Sequence, residues 1–570
     1  DIDVEYDMEV KDSLILGYSN NPGPNSENDD AVLDYDISSK NLEVHDSTLR
    51  GKRPDGAETH EFDIEIESDG GDVDIQDSWL GLHSSNGDIE IKDTNNYTLD
   101  ISNSTLRLGI STNGVWGDET TQTSYLNIQN STINDDVQME NIVNTFIQNS
   151  KLEGNLYLDS INATLRDSNI SGRLNTEVVN LNIFNLGKLG GISKYNTGTS
   201  SGICDYVTID NVTFTSSVQI DGKFIDLTNS SFSSSVEISH DIVNMTNISI
   251  SSSSLYLNEV NSAVLRNVTI NTHLMGVVED LYLEDAHTGL GKNTLRVSKL
   301  WMSNSTLESI VQSDSYYIYV SDLDNTNNAS TEDIYVYNSI IKFNTSSNYA
   351  NNDYTFVFDI DTTGDIRIID SEINVTHYRT SRIELRGSEI LIQNSTLWSG
   401  TRNTDSGTGC HYGNGYDWCI NNNYHRYVYS YLTLISDNLT VDNSDLKATS
   451  KITSTSPNYS YYYYYRRAHT YVDIDVEYNM EVKDSLISGN SNNPGPNGQN
   501  SVSIVDYDIE SKNLEVIDST LRGKRQEGSD TYNFDIEIES DGGDVDIQDS
   551  WLGLHSSNGN FKIYDTNYTL

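Results

Sequence analysis

Apolar residues in this chain fall in short alternating pieces. In the stretch from Asn211 they are Phe214, Val218, Ile220, Phe224, Ile225 and Leu227; from Asn229 they are Phe232, Val236, Ile238, Ile242 and Met245. A period of two marks half-buried strands, and no segment sustains a 3.6-residue period over the length of a helix. Ser, Asn, Asp and Gly separate the pieces, so tight turns join the strands. A four-residue landmark punctuates the pattern: Asn or Asp, a small or β-branched residue, any residue, then an apolar one. It stands at Asn130, Asn149, Asp167, Asn211, Asn229, Asn247, Asn267 and Asn304, with degenerate versions at Asn185, Asp285 and Asp322. From Asn130 to Asn338 the steps are mostly 16–20 residues, with one of 26 after Asn185.

Three strands of three to five residues plus their turns consume about 18 residues, which is one rung of a parallel β-helix with rungs about 4.8 Å apart. The fold class read from the pattern is therefore all-β: a parallel β-helix solenoid of short strands, with about 18–34 residues per rung. Parallel crossovers are normally right-handed, so a right-handed solenoid is expected. The rival is an array of β-sandwiches, which predicts longer strands in domains of about 100 residues and no 18-residue period. The landmark residue sits where the chain bends. Asn and Asp bond local backbone there and tolerate left-handed geometry. Stacked Asn side chains can also form a ladder between rungs, pointing inward in this reading.

A longer repeat overlies the short one. Asp69-Gly-Gly-Asp-Val-Asp-Ile-Gln-Asp-Ser-Trp-Leu80 recurs unchanged from Asp541, 472 residues on, and Asp1-Ile-Asp-Val-Glu-Tyr6 recurs from Asp473. Residues 1–472 then form one repeat unit, and 473–570 open the next, matching 1–99 at about three quarters of positions. The chain reads as a window on a longer tandem array. Landmarks at Asp12, Asp46, Asp77 and Asn103 are spaced by 34, 31 and 26, so rungs outside the middle carry loops. The larger excursions lie near 17–34 and 398–442, and a Tyr-rich segment covers 456–472. One period holds about 19 rungs by this count, or roughly 90 Å of solenoid.

Charge sharpens the picture. Among 570 residues, 86 Asp+Glu face 34 Lys+Arg, a net charge of −52. A polyanion repels nucleic acid and anionic membranes, so neither is expected as a partner. No apolar run approaches the roughly 18 residues of a membrane span. Acidity with 35% hydrophobic residues also fits a disordered tail, but the period rejects that. In Asp63-Ile-Glu-Ile-Glu-Ser68 acids alternate with Ile, which puts the charge on outer strand faces.

The strand, Asn/Asp-Ser turn and apolar residue together resemble the parallel β-helix surface proteins, with pectate-lyase-like and copper-protein-maturation-like repeats. The 472-residue tandem period looks like that of filament-forming archaeal cell-surface proteins. The resemblance covers nearly the whole chain and speaks for architecture, since one fold hosts many functions. It implies an extracellular setting and self-association, with an adhesin or a polysaccharide-degrading enzyme as the other classes the fold hosts.

Enzyme chemistry finds little support. The polygalacturonase-like set needs Asn-Thr-Asp, paired Asp, Gly-His-Gly and Arg-Ile-Lys in order. This chain offers Asn403-Thr404-Asp405 and Asp29-Asp30 in the wrong order, without the other two. Carboxylate pairs alone do not mark a glycosidase in so acidic a chain. No catalytic residue is assigned, and no enzymatic activity is expected.

Other candidates concern the outside of a cell. Cys410 and Cys419 bracket a Gly- and Asn-containing loop that reads as a disulfide; two free thiols, or a metal site with His411, are the alternatives. Cys204 is left over and reads as buried. About 18 Asn-X-Ser/Thr sequons occur, a weak excess over chance. The candidates for N-linked glycans are Asn96, Asn103, Asn130, Asn162, Asn211, Asn229, Asn244, Asn247, Asn267, Asn304, Asn344, Asn374, Asn394, Asn438 and Asn458. Several coincide with the landmark, and there a glycan and an inward ladder compete. Asp69, Asp72 and Asp74 on a Gly turn offer oxygen ligands for a Ca²⁺ ion, against the plainer reading of solvated strand-edge acids. Tyr461, Tyr463 and Tyr465 with Arg466 and Arg467 suit self-association or surface glycans, as do Arg50, Lys52 and Arg53 facing a neighbour's acids. The expected function is structural: a filament, sheath or surface layer of tandem β-helix repeats. An adhesin holding sugars on loops 394–443 and 456–472 is the alternative.

Overall fold

The computed structural model describes residues 2–18, 33–52, 60–67, 72–82, 88–92, 98–107, 109–113, 125–194, 204–251, 254–289, 294–310, 316–321, 332–344, 355–377, 380–403, 426–452, 466–493, 501–525, 529–539, 544–554 and 560–564. Among the described residues there are 46 strands and no helix, and every described ladder is parallel, as between Leu156–Arg166 and Asn169–Phe184. The fold is the all-β parallel solenoid that the short period predicts. Its residues form two compact units, Asp1–Asn258 and Glu259–Leu570.

The landmark is the corner of each rung. From Asp12 to Asn443 it is occupied by 18 Asn or Asp residues whose φ lies between 44° and 57°, and Asp484 begins the second set. A left-handed corner costs most L-residues about 1–2 kcal/mol, and Asn and Asp least among those with a side chain. This is why the position is so restricted. Asp370-Ser-Glu-Ile373, which lies off the regular spacing, is one of these corners. Asp322 lies outside the described residues. The Asn304 amide donates to the Tyr337 carbonyl at 3.1 Å, and Asn338 Nδ2 donates to Asn304 Oδ1 at 2.6 Å. Among the described residues of the period, 18 such corners are seen.

Register stacks like on like. In the first unit one inward column runs Val10, Val44, Ile75, Ile101, Ile128, Ile147, Leu165, Ile183, Ile209, Leu227, Met245. In the second it runs Leu283, Met302, Val336, Ile368, Ile392, Val441, Val482, Val516, Ile547. Apart from the end members Val10 and Ile547, these side chains are fully buried or nearly so. Phe214 lies on Phe232 with centroids 4.7 Å apart and rings 5° from parallel. A chain poor in apolar residues thus builds its core by stacking one residue per rung on the next.

Candidate functional site

Two polar systems meet at the corner. The landmark side chains are all solvent-exposed, and they are laddered on the outside. Nδ2 of Asn130 donates to Asn103 Oδ1 at 3.2 Å, Asn211 to Asn185 at 3.0 Å, Asn247 to Asn229 at 2.9 Å and Asn443 to Asn394 at 2.8 Å. The inward ladder expected from the sequence is therefore corrected. A left-handed turn swings this residue out and its successor in.

That successor forms the inner system. Ser13, Ser47, Ser78, Ser104, Ser131 and Ser150 each donate their amide to the hydroxyl of the serine on the following rung, at 3.0–3.1 Å. Each buried hydroxyl also donates to the carbonyl two residues back, as Ser131 does to Gln129 at 2.7 Å. The same spine runs through Ser305, Ser339, Ser371, Ser395, Ser444, Ser485, Ser519 and Ser550 in the second unit. Elsewhere Leu186, Val212, Ile248, Val268 and Ala286 fill the position with buried apolar groups. In the sequence this position stands out only as small or β-branched. Its signal is the bias to Ser after Asn or Asp.

The boundary between repeats lies inside a strand. Arg466–Lys483 contains residues 472 and 473 and pairs with Arg426–Asp442 on one side and Ser501–Ile517 on the other. No turn or linker marks the joint. Beside it, Tyr429, Tyr431, His469 and Tyr471 form a cluster. Tyr431 and Tyr471 stack at 4.6 Å and 4°, and His469 and Tyr471 at 3.6 Å. Burial, helped by Arg467, lowers the His469 pKa to about 4. Burial first, then Tyr431, raises that of Tyr471 to about 12. Nearby, Glu384 is 2% exposed beneath Arg382 and Arg386, and burial raises the pKa of Asp359 against those same two arginines.

The predicted candidates scatter. Cys410, Cys419, Asn96, Asn458, Asp69, Tyr461, Tyr463, Tyr465 and Arg53 lie outside the described residues. Cys204 is buried, as expected. Asn103, Asn130, Asn211, Asn229, Asn247, Asn267, Asn304 and Asn394 are corner residues. Asn162 and Asn438 belong to other ladders, Asn162 donating to Asn144 at 3.0 Å and Asn438 accepting from Asn479 at 2.7 Å. Asn374 accepts from Thr376 at 2.5 Å. Asn344 is exposed and Asn244 half-buried. Asp72 accepts the Thr98 amide at 2.9 Å, and Asp74 accepts from Gln76 at 3.0 Å. Among the described residues no three His, Cys, Asp or Glu side chains gather as a metal site would require. Arg50 lies over the Trp79 ring at 5.7 Å, an intramolecular use of that cation. Lys52 is described in backbone only, on Thr48–Lys52. Arg466 likewise is described in backbone, paired with Arg426 and Ser501, and Arg467 is exposed. Among the described residues no helix is long and apolar enough to cross a membrane. Compared with family models, curated proteins and solved structures, the chain matches none.

Proposed function

We propose that this chain is part of a structural protein of an extracellular filament, sheath or surface layer, of the tandem-repeat β-helix kind. The observation that carries this is the seam inside Arg466–Lys483. Where that strand pairs with Arg426–Asp442, the ladder crosses from one repeat to the next from Thr433↔Asp473 to Asp442↔Lys483, with one register shift at Ser436/Asn438. A joint of this kind adds repeats without limit and without hinges, which is what a stiff fibre needs. The serine spine crosses the same joint, Ser444 to Ser485 at 3.0 Å. The acidic outer face keeps such a fibre hydrated.

Electron microscopy of native material tests the reading. Eighteen corners at about 4.8 Å give an axial repeat of about 86 Å. Regular filaments with that repeat, or a multiple of it, support the proposal. Separate rods projecting from cells favour the adhesin reading instead, for which the half-buried aromatic rings of Tyr429, Tyr431 and Tyr471 are the observation. Turnover of an acidic glycan by the purified chain overturns both in favour of an enzyme.

A further inference from the structure

The outer columns of the first unit change character partway along the stack. Glu9, Glu43, Asp74 and Asp100 follow one another in register over four rungs. The next members of that column are Asn127, Phe146, Thr164 and Asn182. The column beside it runs Tyr125, Asn144, Asn162, Asn180, Tyr206. Its amides form a ladder: Asn162 Nδ2 donates to Asn144 Oδ1 at 3.0 Å, and Asn180 Nδ2 to Asn162 Oδ1 at 2.8 Å. Arg166 pairs with Asp167 at 3.2 Å and Lys223 with Asp205 at 2.5 Å, so both cations are neutralised in place. Acids return to these columns at Asp210 and Asp226.

The same stretch exposes apolar groups. Tyr125, Ile161, Val179, Tyr206 and Phe224 are 38–56% exposed. Ile161 and Val179 adjoin Asn162 and Asn180 in sequence, and Phe224 stacks on Tyr206 with centroids 5.1 Å apart. Apolar groups gathered in the open mark a contact surface. Depletion of charge with enrichment in aromatic groups is the composition of an interface core. The occupant follows from charge and from order. A chain of net charge −52 repels its own copies, and this face opposes their approach least. Read from either end, the column is Tyr, Asn, Asn, Asn, Tyr.

We propose that this face pairs with the same face of a second copy of the chain, about a two-fold axis at Asn162. The axis sets Asn162 against Asn162, Asn144 against Asn180 and Tyr125 against Tyr206, as a self-complementary patch requires. Asn amides both donate and accept, so each can bond its opposite number. Four rung steps of about 4.8 Å and about five residues of strand give on the order of 300 Å² per partner, against roughly 800 Å² in a standard interface. One contact is therefore weak, and tandem repeats multiply it. That gain rests on the filament reading, whereas the pairing itself does not. The pairing requires Asn162 to carry no glycan.

The test is sedimentation equilibrium of the 570-residue chain. A dimer partly formed at about 100 µM chain is expected from an interface of this size. Raising salt from about 50 mM to about 500 mM should tighten it about threefold, because salt screens the repulsion between chains. Tyr206→Ser/Phe224→Ser should weaken it about tenfold, and Trp398→Ser on the other unit should leave it unchanged. Asn162→Asp and Asn162→Lys chains should each pair poorly with themselves. Their equimolar mixture should dimerise about tenfold more tightly than either alone, which only an axis at position 162 produces. Retained circular dichroism and melting temperature show that the variants fold. No dimer at any salt, a dimer loosened by salt, or no gain in the mixture would each overturn the proposal. So would a dimer kept in Tyr206→Ser/Phe224→Ser or lost in Trp398→Ser, or a glycan on Asn162 of native material. The axial repeat seen by microscopy does not depend on these results, so the two proposals fail separately.

Discussion

The opening of the repeat occurs twice, and the same residues are buried differently in the two places. Leu14 is 64% exposed, whereas its counterpart Leu486 is half-buried; Met8 is 8% exposed and Met480 1%. Residues 2–18 are laddered with 33–52. Residues 466–492 are laddered on both sides, with 426–452 and with 501–525. The sequence of a rung thus specifies half of each contact, and the neighbouring rung supplies the other half. Burial here belongs to the stack rather than to the residue, as in any quasi-one-dimensional repeat.

A buried charge should separate the two copies most. Val482 lies between Val441 and Val516 with no exposed surface. Val482→Asp should destabilise the second unit by about 4 kcal/mol or more, as an unpaired buried carboxylate does. Val10→Asp, at 6% exposure and laddered to Val44, should have roughly half that effect. Urea unfolding followed by hydrogen exchange in each unit measures both, and equal losses would break the comparison.

The serine spine gives the next contrast. The Ser485 hydroxyl accepts the Ser444 amide at 3.0 Å and donates to the Lys483 carbonyl at 2.5 Å. Ser485→Ala strands that amide and should destabilise by about 1–3 kcal/mol. Ser13 makes only an exposed bond with its hydroxyl, to the Lys11 carbonyl, so Ser13→Ala should stay within about 0.5 kcal/mol. Thermal melts of the paired variants decide this.

Corner strain should erase the difference. Asp12 and Asp484 both have φ of 48°, and left-handed strain is local. Ala at either position should destabilise by a similar amount, about 1 kcal/mol, with Asn nearly neutral. Unequal effects would show that the neighbouring rung also sets the corner.

A further contrast concerns pH. His469 stands in the strand that contains the boundary, and burial holds its pKa at about 4, below the ordinary histidine value of 6.5. The unfolded chain therefore binds a proton first. The contribution is fully present above pH 6.5 and is lost as pH falls from 6.5 towards 4. His469→Phe should flatten that part of the melting-temperature profile, and an unchanged profile would mean that the ring is not buried in solution.

The corners were legible because only a few residues accept a left-handed φ, so Asn and Asp recur at a fixed interval. The strands were legible because inward columns need Val, Ile or Leu at every second position. The spine was hidden because Ser after Asn reads equally as a turn residue or as part of a sequon. Nothing in the residues Asn130-Ser-Thr shows that the Asn turns out and the Ser turns in. Between Asn304 and Asn338 the described residues include one laddered strand, Tyr316–Val320.

The seam is tested most directly by hydrogen–deuterium exchange of the 570-residue chain, comparing peptides across 428–442 and 468–483 with Leu156–Arg166 in the first unit. Continuous rungs across the repeat boundary predict protection as strong at the seam as within the repeat. Exchange at the seam within seconds, while Leu156–Arg166 stays protected, would contradict the account.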